Sequence, residues 1–510
     1  MRYQVSAPRE DIAFESVTEA KDLLKNFSVP QWQEALQCAT ETMPTTAEFD
    51  DAPLPATVFT PHTHIRALRP DTLLVSGARG AGKTFWTRAL QQKDIRKMLE
   101  QDVPELTNVR ICVGYTNAQN PKAYPSPVVC SNLLTKYKPN HIWQAVWIRA
   151  LASQQEVTSP CPCSCLSWEE DAATVANNPE KVDSFLYKAN EELNRAGTRV
   201  LVLFDALDRS AESWEDIDAL TTSLLQMTLQ ISTFNSIKGK IFLREDHCNR
   251  LQFAFPDSSK LLANKVDLSW KRHELYGMLW KRLCNSTGVS GELLRTAFNA
   301  FFPKGLEQKD GNWIFSRNAD LNDENLRLLF HFLTGPYMGK DRRRGIPYVW
   351  TVGHLADARQ QTSPRSFLAA IRSACDDSRV NHKSSEYAIH YDSIKHGVQE
   401  ASRIRVDEMN EDNPWAEGLL DSLRGLTVPC SFIDIQKNWT KRYPKGPKGL
   451  VDQYGKHVPP EFVSQNWIDV KNMLERLGFC QTMSDGRFNM PDLYRVGFGL
   501  GRRGGVKPLK

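Results

Sequence analysis

Three glycines, a lysine and a threonine within eight positions are the first residues whose types and spacing can do chemistry. They lie in the stretch GARGAGKT, where Gly77, Gly82, Lys83 and Thr84 satisfy the spacing G-x-x-x-x-G-K-[ST]. Gly77, Gly80 and Gly82 let the backbone turn tightly enough for successive N–H groups to point inward at an anion. Lys83 supplies a point charge for the β and γ phosphates of a nucleotide, and the Thr84 hydroxyl is a hard oxygen suited to a Mg²⁺ shell. The candidate cradle for ATP is thus Gly77, Ala78, Arg79, Gly80, Ala81, Gly82, Lys83 and Thr84. An apolar run of Leu73, Leu74 and Val75 precedes it, and Phe85, Ala89 and Leu90 follow at helical spacing, so the order is strand, loop, helix. The helix turns its positive N-terminal end on the phosphates.

The second chemical signal is RVLVLFDALD, residues 199–208. Five apolar residues, 200–204, predict a strand buried on both faces, as the centre of a parallel sheet requires. Ligands of such sheets bind at the carboxyl ends of the strands, so Asp205, directly after this one, arrives beside the glycine loop. Asp205 is the candidate to hold Mg²⁺ with Thr84, directly or through water. Asp208 can orient or deprotonate an attacking water, or simply pair with Arg209 on the surface. A further strand, 240–243, ends in Arg244-Glu245-Asp246, where Arg244 either meets the γ-phosphate or forms an ion pair with its neighbours.

These residues need elements to position them. Residues 1–70 read as a helical lead-in, with segments at 17–27 and 31–40, and then a proline-rich linker at 43–70. Strands are expected at 108–115 and 265–268 as well, making 71–268 the ATPase core, with helices at 141–151 and 181–196 and a polar loop up to 140. From 269 to 405 the pattern is helical, a lid. Within it SPRSFLAAIRSAC opens with Ser363 as cap and Pro364 in the first turn. Arg365 then either reaches a γ-phosphate or is a solvated first-turn arginine.

Composition sets the outer bounds. The 510 residues are 41% apolar and 24% charged, and the net charge of +4 is too small to imply a partner by itself. No apolar run approaches the roughly 18 residues of a membrane span, and the N-terminus lacks a secretory pattern, so no membrane contact and a cytoplasmic location are expected. Eleven cysteines without a framework suit free thiols. Cys161, Cys163 and Cys165 read as a surface loop rather than a zinc site, since no fourth ligand stands at usual spacing.

Residues 414–510 carry 15 Lys or Arg against 9 Asp or Glu, more than the surplus of the whole chain. Their order predicts a winged helix: helices at 415–423, 433–440 and 462–477, then a hairpin turning at Asp485-Gly486. A tail with Arg495, Arg502, Arg503, Lys507 and Lys510 can lie along a phosphate backbone, which makes DNA a candidate partner; a basic protein-interaction module is the alternative.

The GARGAGKT loop resembles Walker A, LFDALDR resembles a Walker B with its second acid three residues on, and Ser-Pro-Arg heads a later helix. Together these motifs, spanning 71–375, resemble AAA+-related ATPases, and within them the KAP and STAND groups and the origin-recognition-type ATPases. The resemblance implies an α/β P-loop NTPase domain with a parallel sheet, followed by a helical lid and a C-terminal winged-helix-like domain. It implies ATP and Mg²⁺ as cofactors, with Lys83 and Thr84, Asp205 and Asp208, and Arg365 in the corresponding roles. It differs from KAP members in lacking membrane insertions and from STAND members in lacking long repeat arrays. The expected function is a regulatory ATPase whose nucleotide state controls assembly, as a homo-oligomer or on a separate effector, or contact with nucleic acid. By analogy alone, antiviral defence in bacteria is its setting. The alternative is a nucleotide-dependent scaffold with little turnover that recruits an effector.

Overall fold

The computed structural model describes residues 27–43, 53–251, 253, 255–317, 319–455 and 466–508. They form two compact units: one takes the described residues of 27–59, 270–446 and 467–508, the other 60–269 and 447–466. The first segment expected in the lead-in, 17–27, lies outside the described residues except for Phe27. The second forms α1 (Val29–Thr40).

The unit that starts at residue 60 is α/β. Its elements include α2 (His62–Leu68), β1 (Leu74–Gly77), α3 (Lys83–Gln91), β2 (Val109–Tyr115), α4 (Pro127–Leu134), α5 (Pro139–Ala152), β3 (Arg199–Phe204), α6 (Trp214–Ile231), β4 (Ile237–Arg244) and β5 (Val266–Asp267). The five strands are parallel in the order β2-β3-β4-β1-β5. The apolar runs explain the strands: β1 is buried throughout, and every residue of β3 after Arg199 is buried, as helices on both faces require. On one face α5 buries Trp143 and Trp147 against Phe204, with ring centroids 5.7 and 5.6 Å away, and the Trp143 indole donates to the Leu220 carbonyl of α6 at 2.8 Å. Two stretches read as irregular are partly helical. α2 forms inside the expected linker because His64, Ala67 and Leu68 bury one face. α4 forms inside the expected polar loop because Cys130 and Leu133 are buried and Ser126 caps it. In the cysteine loop, Cys163 is buried while the Cys161 and Cys165 sulfurs lie 3.8 Å apart.

The other unit is helical. α1 places Trp32, Ala35, Leu36 and Ala39 on one buried face at i, i+3, i+4, i+7 spacing. That face packs on helix Gly288–Phe301 and on α8 (Pro364–Asn381), introduced after α7 (Arg272–Cys284). Gln33 of α1 also donates to the His382 carbonyl at 3.0 Å. α8 pairs with α9 (Tyr391–Asp412), and the approach is close enough that a Cβ on Gly397 would stand 2.1 Å from the Ala370 carbonyl oxygen. A short hairpin, β6 (Leu306–Lys309) with β7 (Asn312–Phe315), precedes them in the chain. Beyond α9 come helix Pro414–Asp421, α10 (Phe432–Arg442), α11 (Trp467–Arg476), and an antiparallel pair, β8 (Gln481–Thr482) and β9 (Phe488–Asn489). Cys430 bridges to Phe488 through two backbone hydrogen bonds of 3.0 and 2.8 Å, which ties the stretch before α10 to this hairpin. Part of the expected third helix, 462–465, lies outside the described residues. Among the described residues no helix is long and apolar enough to cross a membrane.

Candidate nucleotide site

The carboxyl ends of β1, β3 and β4 meet at one edge of the sheet. Gly77 is in register with Arg244, and Phe204 with Ile241, so the glycine loop, Asp205 and Arg244 open onto the same side. Gly80 and Gly82 take positive φ of 78° and 109°, as the turn requires. Gly77 is a glycine for a different reason: its Cβ would lie 3.2 Å from both Ala81 and Leu268. α3 begins at Lys83, directly after the turn, and is locked against α2. The Trp86 indole donates to His64 Nδ1 at 3.1 Å, and the other ring nitrogen of His64 donates to the Ser269 carbonyl at 3.1 Å. Burial draws that imidazole down to about 4, so it serves as a neutral bridge.

Lys83 folds back over the loop, its Nζ donating to the carbonyls of Gly77 at 2.8 Å and Ala78 at 2.9 Å. Burial, then the Arg244 guanidinium, draws its amine down to about 8, against Asp205, Asp246 and Asp208. The Asp205 side chain is buried and its backbone N–H donates to the Tyr115 carbonyl at 2.9 Å. Its carboxyl is raised by burial, with Thr84 donating a hydrogen bond to it and Lys83 nearby, and Oδ2 is buried without a hydrogen-bond partner. An orphaned carboxylate oxygen beside a threonine hydroxyl is a donor set of hard oxygens that fits Mg²⁺.

The chain then bends sharply. Ala206 has a φ of 55°, uncommon for a residue with a Cβ, and it opens a single 3₁₀ turn over Leu207–Arg209. The Tyr115 hydroxyl holds that turn by donating to the Arg209 carbonyl at 2.8 Å. Asp208 thereby faces Arg244, with Oδ2 at 3.6 Å from a guanidinium nitrogen. Arg244 itself is gripped by Asp246 through two hydrogen bonds of 3.0 and 2.8 Å, and Asp246 is held well below the usual carboxylate range despite its burial. Tyr115 escaped the sequence reading. The signal was present: it is the last residue of a strand that ends beside Asp205.

In the helical unit Ser363 caps α8, its hydroxyl accepting from Ser366 N–H at 3.1 Å, and Arg365 follows in the first turn. Arg365 donates to Glu408 Oε1 at 2.6 Å. The other oxygen of Glu408 accepts from Arg405 at 2.9 Å, and Arg405 in turn donates to the Tyr494 hydroxyl at 3.1 Å.

No protein-family model matches the chain, and no curated protein matches it. Among solved structures it is similar to the Aeropyrum pernix ORC2 protein, in its ADPNP and ADP complexes, at 14% identity over 83% of this chain and 84% of that one, with a TM-score of 0.34. It is also similar to the Aeropyrum pernix ORC1 protein in complex with DNA, at 14% identity over 87% of this chain and 92% of that one, with a TM-score of 0.33. At these values the likeness carries no argument about function, which rests on the residues above.

Proposed function

We propose that the chain is an ATP-binding and ATP-hydrolysing regulator. The observation that carries this reading is the buried Asp205 Oδ2 without a partner, next to the Thr84 hydroxyl, at the mouth of a glycine loop whose lysine folds over it. In this reading the loop from Gly77 to Thr84 wraps the phosphates, and Lys83 leaves the Gly77 and Ala78 carbonyls for them. Thr84 and Asp205 would hold Mg²⁺, which would supply positive charge to the phosphates. Asp208 orients or deprotonates the attacking water, Arg244 meets the γ-phosphate, and Arg365 reports on it from the head of α8, leaving Glu408. The nucleotide state then governs assembly, with copies of itself or a separate effector, in a cytoplasmic setting for which antiviral defence is an analogy.

Asp208→Asn is expected to keep ATP bound and to slow turnover by about 10²–10⁴-fold, since an amide fits the space and takes no proton. Asp205→Asn is expected to weaken Mg²⁺-dependent binding instead. Calorimetry and steady-state turnover on both variants check the division, and identical behaviour of the two sinks it. One observation favours a second reading: Arg244, anchored by Asp246, lies against Asp208 and holds the carboxylate that would handle water. A wild-type chain that binds ATP but turns over no faster than Asp208→Asn is the nucleotide-held scaffold, which recruits an effector without useful hydrolysis.

The order of helices, bridge and hairpin from 414 onward supports a winged-helix-like reading with DNA as partner. Arg487, at the hairpin turn, is exposed and paired with Asp485 at 2.7 Å, whereas Arg503 and Lys507 are exposed in the tail. Arg495, counted with the tail cations, cannot contribute: it is fully buried, bonded to Asp492 and to the carbonyls of Leu500 and Val506. Lys510 lies outside the described residues. For the full chain, log K on duplex DNA against log salt is expected to slope by about −0.9 per phosphate contact, and removing Arg487, Arg503 and Lys507 together should flatten it by one such step for each residue in contact. Salt-independent binding, or none, would move this region to the protein-partner class.

A further inference from the structure

The helical unit has an open cavity of about 510 Å³, within the roughly 300–1,000 Å³ of small-molecule sites. It is lined by Ile346, Val349 and Trp350 and by the C-terminal segment that Arg495 pins down.

Two acceptors among the lining residues lack hydrogen-bond donors. Asp492 is nine-tenths buried or more. Its Oδ1 accepts from Arg495 at 2.7 Å and Arg502 at 3.2 Å, while Oδ2 is buried with no hydrogen-bond partner. His354 Nε2 lies 3.6 Å from that oxygen. The other ring nitrogen, Nδ1, stands 2.8 Å from the Trp350 carbonyl, which can only accept, so Nδ1 carries the proton and Nε2 is bare in the neutral ring. Burial lowers the imidazole's proton affinity in spite of Asp492. In the neutral ring Nε2 and Asp492 Oδ2 are both acceptors. The carboxamide oxygen of Asn489 is also buried without a partner, and its residue lines the same cavity. Buried polar atoms in native proteins are seldom left this way, and two among the lining residues of one cavity point to a ligand that brings N–H groups.

Other lining groups ask for the opposite chemistry. Arg503 lines the cavity with the Gly504-Gly505 turn, and the exposed Arg342–Arg344 turn runs directly into lining residue Gly345. A ligand that brings N–H donors, a flat apolar body for Trp350 and an anion for Arg503 is a nucleoside phosphate. Among the bases, guanine alone presents two adjacent N–H donors on its pairing edge.

We propose that this cavity is a second nucleotide site, distinct from the glycine loop, which takes a guanosine 5′-phosphate unit with its base toward Asp492, His354 and Asn489 and its phosphate toward Arg503. The unit has two sources, a free mononucleotide or a nucleotide of a single strand.

The test uses the full chain carrying Lys83→Ala, so that the loop site is silenced, and titrates GMP, UMP, guanosine and inorganic phosphate by calorimetry. GMP is expected to bind saturably and at least tenfold more tightly than any of the other three. Arg503→Ala, an exposed change, and Asn489→Leu are each expected to weaken GMP at least tenfold. A 5′-phosphorylated guanine-containing single strand that outcompetes GMP identifies the source as nucleic acid, and one that competes less well identifies a free nucleotide. GMP binding no tighter than UMP or phosphate, or binding unchanged by Arg503→Ala, overturns the proposal. Because the readout maps to Arg503 and not to Lys83, it stands or falls separately from the ATPase reading.

Discussion

ATP affinity is expected to fall by about a hundredfold or more in Lys83→Ala, the range set by losing a charge-assisted hydrogen bond inside a partly desolvated site. The side chain is already aimed at the loop, donating to the Gly77 and Ala78 carbonyls, so the methyl of alanine removes both the phosphate's cation and the clasp that shapes the turn. A proton-linked signature accompanies it. In the free chain the amine titrates at about 8, below the ordinary lysine range, and binding phosphates requires the ammonium form. Affinity of the wild type should then be flat below about pH 8 and decline above it, by up to tenfold per unit, because each binding event must take up a proton that solution supplies less readily. Calorimetry across pH 6.5–9.5 reads both effects. An unchanged affinity in Lys83→Ala sinks the loop assignment, and a pH profile that survives the substitution assigns the proton elsewhere.

The second large effect concerns stability. Lys240 lies in β4, fully buried, and its Nζ donates to three backbone carbonyls, those of Ala67, Arg69 and Thr72, at 2.6–2.8 Å. These carbonyls close the end of α2 and the turn into β1, so one ammonium fixes how the strand carrying the glycine loop enters the sheet. Burial draws the amine down to about 7, while three acceptors for three N–H groups hold the charged form in place. Lys240→Met fills the space but removes that donor from all three carbonyls, of which Arg69 keeps the Thr72 N–H at 3.0 Å. A loss of about 3 kcal/mol or more is expected, from orphaned acceptors at about 1–3 kcal/mol each. Urea denaturation of the full chain measures it, followed by the α/β unit's own transition. Stability within about 1 kcal/mol of wild type would mean that water replaces the lysine at all three carbonyls.

Lys240 also marks where the sequence stops being legible. The parallel sheet and its glycine loop could be read because each is local: an apolar run of strand length, a turn signal, then helical spacing, with Asp205 placed by topology alone. What a lysine inside a strand does depends on a turn some 170 residues earlier in the chain, and nothing in KIFL reveals that. Arg495 makes the same point for charge. Counted from sequence it belongs to a basic tail, yet it is buried against Asp492 and two carbonyls, a staple and not a surface cation. For Arg244 the sequence leaves two partners, the phosphate or its own neighbours, and the two hydrogen bonds to Asp246 describe the side chain at rest. The helices inside the expected linker and polar loop were missed because their buried faces are only two or three residues wide.

The packing of α1 has a consequence for synthesis. The surface that covers Trp32 and Leu36 belongs in part to α8, and Gln33 of α1 waits for a carbonyl 349 residues downstream. At about 5–20 residues per second, roughly 20–70 s pass between the two. Throughout that interval an apolar helix face is tethered to the growing chain while residues 60–269 of the α/β unit are made. The helical unit therefore cannot close over this strip of its core until α8 has been made.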